Sequence, residues 1–257
     1  MPAGRGRRRR CLPRIRACTR PATDRTGPGE ELMRNVLNDA AVRDRIVRIA
    51  AATLAAVMAT GSMLVWLDAG ALRTLALLAL VAVVAGGGGA MGMVVQQHML
   101  GREARLRPLA VARWSGALTA AVLGPLATGA LGIGLVVGLG ELLVPAERAG
   151  SLAGVGGLSL VLPMALLVTG TASLRTVAVA LARDLEIREV IAFAEGHEWS
   201  LVPVGLALAF AVLACTAGIT GLALGMVPAS LAIVVGLLAL VPASAALARH
   251  WERLGAR

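Results

Sequence analysis

The sequence predicts an all-α integral membrane protein of about six transmembrane helices, arranged as three hairpins, each preceded by a cytoplasmic interfacial amphipathic helix. Three observations predict it. Of 257 residues, 57% are hydrophobic and only 16% charged. The apolar residues stand in long blocks of Leu, Val, Ala and Gly instead of short alternating runs, which is membrane composition. Six of these blocks, near 46–67, 71–95, 116–140, 152–174, 201–222 and 224–246, reach the ~20 residues a helix needs to cross bilayer hydrocarbon. A soluble fold could hide one such helix, but six would leave too little amphipathic surface to wrap the core.

The first element is a tail. All 25 basic residues are Arg, and nine precede Met33 in "MPAGRGRRRRCLPRIRACTRPATDRTGPGEEL". This Pro-, Gly- and Arg-rich stretch has no apolar period, so residues 1–32 are expected to be disordered and 33–257 to form the membrane domain. Three readings of the tail compete: a nucleic-acid or lipid-binding arm, a targeting peptide, and an upstream region translated in error. A secretory signal needs an apolar run after its Arg cluster, and "CLPRIRACTRPATD" is not one. "GEEL" before Met33 back-translates to a purine-rich stretch like a bacterial ribosome-binding site, in keeping with the Arg, Ala and Gly bias of a GC-rich bacterial genome. Met33 is therefore the expected start, and no nucleic-acid partner is expected.

The links between spans alternate in charge. Those after spans one and three carry Asp68, Arg73, Glu141, Glu147 and Arg148, and the turn around Thr220–Gly225 carries none. On the other side, Arg34, Arg43, Arg45 and Arg48 precede span one, and Arg102, Arg105, Arg107 and Arg113 follow span two. Arg175, Arg183 and Arg188 follow span four, and Arg249, Arg253 and Arg257 close the chain. By the positive-inside rule both termini are cytoplasmic, and the expected location is the bacterial cytoplasmic membrane.

One charged phrase occurs twice in these basic links. "LGREARLRPL" (Leu100–Leu109) and "LARDLEIREV" (Leu181–Val190) share Leu, Arg, an acid, Leu or Ile, Arg and an aliphatic residue in register. Ile187, Val190, Ile191 and Ala194 run i, i+3, i+4, i+7, while Leu106, Leu109 and Ala110 begin the same series. Both copies are expected to be helices lying along the headgroups. A fainter copy, "VRDRIVRI", precedes span one, so the chain reads as three units. A short cytoplasmic link in an Arg-rich chain is also basic and amphipathic by default. Arg102, Arg107, Arg183 and Arg188 are the residues of these links expected to dock a partner or hold the membrane surface.

The order of hairpin, "MLGREARLRPLAVARW", hairpin, "ALARDLEIREVIAFAEGHEW", hairpin and "ALARHWERLGAR" resembles a family of uncharacterised bacterial and archaeal multi-pass membrane proteins, over about 40–257. The resemblance implies a fold only, with no catalytic residue to carry over.

Motifs that could carry chemistry read as structure. "GGGGAMG" contains GxGxxG through Gly87, Gly89 and Gly92, but a dinucleotide site needs a strand before it and a helix after it. Inside span two the glycines are expected to serve helix packing, as are the pairs Gly134 with Gly138 and Gly221 with Gly225. Pro125, Pro163, Pro203, Pro228 and Pro242 read as tolerated kinks or span starts and not as the paired broken helices of transporters. No carboxylate or His falls near a midplane, which disfavours a proton relay. "EGHEW" puts Glu195, His197, Glu198 and Trp199 before span five, but lacks paired His at i and i+4, so no metal or other cofactor is expected. Cys11 and Cys18 lie in the tail and Cys215 mid-span, with no CxxC. Trp66, Trp114, Trp199 and Trp251 sit at span ends, where interfacial anchors belong.

The expected function is non-enzymatic: a permease-like or membrane-organising component in the lipid bilayer. The alternatives are the membrane subunit of an export system driven by a cytoplasmic ATPase, with another membrane subunit or a second copy as partner, and a small intramembrane enzyme.

Overall fold

A computed structural model describes residues 38–67, 70–143, 146–183 and 185–255, and of 136–143 and 146–160 the backbone only. The tail 1–32, Met33, Arg34, Asp68 and Arg257 lie outside these residues, as do the side chains of Glu141, Glu147 and Arg148. The described chain is helical, with α1 (Ala40–Trp66), α2 (Ala71–Met99), α3 (Pro108–Leu143), α4 (Ala146–Ala180), α5 (Ile187–Ala194), α6 (Glu198–Ala223), a 3-10 turn (Val227–Ala229) and α7 (Ser230–Gly255). No strand occurs among the described residues. Six of the helices, all but the short α5, are long and apolar enough to cross a membrane, which is the build of a multi-pass membrane protein.

Consecutive long helices pair as the hairpins α1–α2, α3–α4 and α6–α7, and the hairpins join through α4 on α6 and α2 on α7. This places α2, α4 and α7 inside and leaves α1 and α3 as the least buried spans. Val57, Leu80, Leu174, Leu208 and Ile233 meet in the core, while Leu72, Leu131, Leu213 and Leu238 face outward. Aliphatic residues on both faces suit hydrocarbon surroundings, where burial between helices brings packing more than a hydrophobic gain.

Close approach is set by small residues. Gly170 of α4 and Gly205 of α6 cross backbone to backbone: a Cβ at Gly170 would meet the carbonyl carbon of Leu201 at 2.9 Å, and one at Gly205 would meet the amide nitrogen of Gly170 at 3.0 Å. The GxGxxG residues do the same work within α2. Gly87 accommodates Thr53 of α1, Gly89 accommodates Ser115 of α3, and Gly92 accommodates the Trp114 ring. Buried Cys215 packs on Gly236 of α7. Pro125, Pro163, Pro203 and Pro242 lie inside continuous helices, and Pro228 lies in the 3-10 turn.

The doubled phrase differs from its expected form, because its first residues end helices. Gly101 after α2 and Ala182 after α4 both take left-handed φ values, 65° and 54°. The next amide closes back identically: Arg102 N to Gln97 O at 2.8 Å, and Arg183 N to Ala178 O at 2.9 Å. Gly101 N reaches His98 O at 2.9 Å and Ala182 N reaches Val179 O at 3.0 Å, completing two Schellman caps. After the caps the copies part. Residues 102–107 are not helical, since the residue before Pro108 is steered away from the α region and proline itself suits a first helical turn. The second copy forms α5, helped by the Glu189 carboxylate accepting from the Glu186 amide at 3.1 Å. The faint third copy is simply the first turns of α1, capped by Asp39, which accepts from the amides of Ala41 and Val42. Only one of the three expected interfacial helices is thus a separate element among the described residues.

Candidate functional site

Because the long helices run alternately up and down, one end of the bundle collects Arg43, Arg45, Arg48, Arg102, Arg105, Arg107, Arg113, Arg183, Arg188, Arg249 and Arg253. At the opposite end Arg73 donates to the Ala223 carbonyl at 2.7 Å, satisfying a carbonyl at the end of α6. The basic end is tied together: Arg45 of α1 donates to Ala104 O in the link after α2 at 3.1 Å, and Arg102 of that link to Leu181 O after α4 at 3.4 Å. Of the four Arg expected to dock a partner or the membrane surface, Arg102 thus bridges the two caps. Arg107, Arg183 and Arg188 are exposed, Arg188 on α5.

Just inside this end lies a buried polar knot that hydropathy does not reveal. Gln96, fully buried on α2, donates to Thr176 Oγ1 at 3.1 Å and accepts from Trp114 Nε1 at 2.8 Å. Beside it Gln97 donates to Ala180 O at 3.0 Å and accepts from the Arg105 amide at 2.9 Å. Two adjacent glutamines therefore join α2 to α3, to α4 and to the link between α2 and α3. Their side chains use hydrogen bonds that the apolar core would otherwise leave unmade. The sequence signal was available, as "QQH" directly after span two is the only amide pair in α2. Trp114 is corrected with it: at 1% exposure it is a core residue and not an interfacial anchor. Trp251 is also buried, its ring 4.8 Å from that of Phe193. Trp66 and Trp199, 87% and 72% exposed, keep the anchor placement.

α5 is wedged against the bundle. Val190 and Ala194 are fully buried while Ile187 and Ile191 remain exposed, so its apolar stripe is divided between protein and surroundings. Past it, the Glu198 carboxylate, at the water end of α6, accepts from the Gly196 amide at 3.0 Å. His98 lies 3.8 Å from Asp39, and among the described residues no three His, Cys, Asp or Glu come together as a metal-ligand group.

A cavity of about 600 Å³ forms a groove between α3 and α4 that opens sideways. Ala117, Ala121 and Gly132 of α3 face Val161 and Ala172 of α4, with Arg175 at the basic end and Ile187 of α5 beside it. Among the described residues Arg175 is its one charged lining residue. A second cavity of about 260 Å³ lies between α2, α3, α6 and α7 and includes Trp114, Ser115 and Cys215. Chemically the groove offers an apolar slot with the Arg175 cation at its basic end. Sequence reading placed Arg175 at a span end but had no means of seeing the groove, since Ala and Gly spacing looks the same in a closed helix pair. Set against family models, curated proteins and solved structures, the chain matches none, so no family is shown, and of the expected resemblance only the multi-pass helical architecture is supported.

Proposed function

We propose that the protein is a permease-like component of the bacterial cytoplasmic membrane, with both termini cytoplasmic, that admits apolar-bodied molecules sideways from the bilayer and carries out no covalent chemistry. The observation that carries this reading is the α3–α4 groove of about 600 Å³, open to the side and lined by small apolar residues. Its size is that of a small-molecule site. A polar solute or a hydrated ion gains little in such a slot, whereas a lipid-like molecule already dissolved in hydrocarbon enters with little desolvation.

The test is reconstitution into vesicles containing a fluorescent, short-chain-labelled phospholipid, with an impermeant reductant outside. The protein accelerates loss of inner-leaflet fluorescence over protein-free vesicles, and Gly132→Phe, placed where a Cβ meets open space, suppresses it. Equal rates with and without protein overturn the proposal.

A second reading is favoured by α5. Its outward residues Arg188, Glu189 and Glu195 are exposed while Val190 and Ala194 anchor it, a fitting dock for a cytoplasmic ATPase, a further membrane subunit or a second copy. Recovery of an ATPase with the detergent-solubilised protein favours an export subunit.

A further inference from the structure

We infer that the α3–α4 groove is a site for one acyl chain of an anionic phospholipid, its headgroup on Arg175, drawn from the leaflet at the basic end. The inference deepens the proposed function, since it uses the same groove, and adds the charge and origin of the occupant. The groove extends along α3 from Ala117 to Gly132, which at 1.5 Å per residue is about 22 Å. One leaflet of hydrocarbon is about half of 30 Å deep. The slot is therefore as deep as a single leaflet plus its interface, and Arg175 stands at its basic end.

Charge settles the headgroup. Arg175 is exposed, and among the described residues no acceptor is paired with it. It follows the apolar stretch 152–174 directly, so its guanidinium reaches the level of lipid phosphates by snorkelling. A guanidinium takes a phosphate through two parallel hydrogen bonds. The surrounding Arg of the basic end raise the local density of anionic headgroups. Lower down, Gly129 brings Val161 close, a Cβ there lying 2.9 Å from Val161 Cγ1, while a Cβ at Gly132 would meet open space. The helices are thus closely packed at Gly129 and leave room at Gly132, a form that suits a flexible chain.

The probes are dioleoyl phosphatidylglycerol and dioleoyl phosphatidylcholine, offered in equal amounts to the full-length protein in detergent and read as retained lipid by native mass spectrometry. One phosphatidylglycerol per chain is retained in preference to phosphatidylcholine. Arg175→Ala reduces that preference about ten-fold, as loss of a charge-assisted pair does, and Arg175→Lys restores most of it. Gly132→Phe lowers retention of both lipids without changing their ratio. Equal retention of the two lipids, or a preference unaltered in Arg175→Ala, overturns the inference. Because retention is read without transport, a protein that prefers phosphatidylglycerol yet fails in the vesicle assay overturns the permease reading alone.

Discussion

Gln97 on α2 donates from Nε2 to the carbonyl of Ala180, the last residue of α4, at 3.0 Å. That bond lashes together two helix ends that carry the same cap and the same charged phrase, and Gln96 beside it does the same one layer deeper. Gln96→Leu is expected to leave Trp114 Nε1 without an acceptor, while Thr176 Oγ1 keeps its bond to Ser173 O at 2.7 Å, and to cost about 1–3 kcal/mol, the range for an orphaned buried polar group. Thermal unfolding in detergent checks it. An unchanged midpoint would show the knot to be energetically idle.

The two caps make an internal control. Ala182 holds a left-handed φ of 54° that a side chain adopts at a cost, while Gly101 holds 65° freely. Ala182→Gly is expected to raise stability by up to about 1 kcal/mol, and Gly101→Ala to lower it by a similar amount. Opposite shifts in the two unfolding midpoints are the expected result.

Helix approach at Gly205 leaves no room for a methyl group, because the carbonyl of Leu166 and the backbone of Gly170 lie across it. Gly205→Leu should separate α4 from α6 and reduce the yield of monodisperse protein in fluorescence-detected size exclusion. Gly132→Leu, facing open space, should leave the elution profile as it is.

Orientation is testable from charge. Cysteines at exposed Gly70 and Gly225 are expected to react with an impermeant maleimide added to intact cells, and cysteines at exposed Arg105 and Glu195 only after lysis, in a Cys215→Ser background. Labelling of Arg105→Cys in intact cells would invert the positive-inside assignment.

Docking on α5 predicts a separable defect. Arg188→Glu alters a side chain exposed on the helix and should reduce recovery of any cytoplasmic partner while expression and unfolding temperature stay normal. Val190→Asp places a charge in a fully buried position and should lower expression itself, by several kcal/mol of unpaired burial.

The sequence by itself determined the six spans, their pairing as hairpins and the collection of Arg at one end, because each span must satisfy its own backbone in hydrocarbon and a run of apolar residues is visible without knowing the neighbours. It also assigned Gly87, Gly89 and Gly92 to packing, since a phosphate-binding turn cannot sit inside a span. Only the tertiary structure decided which way each helix turns. With Leu, Val and Ala on every face there is little amphipathic moment to mark an inner side, so the burial of Trp114 and the wetting of Trp66 look alike in the sequence. The doubled phrase reads equally as a helix start or a helix stop until the left-handed turns at Gly101 and Ala182 are seen. The reach of Gln96 to Thr176, and the groove that ends at Arg175, exist only because α2, α3 and α4 meet at particular rotations, a choice made by side-chain packing between helices and not by the hydropathy of any one of them.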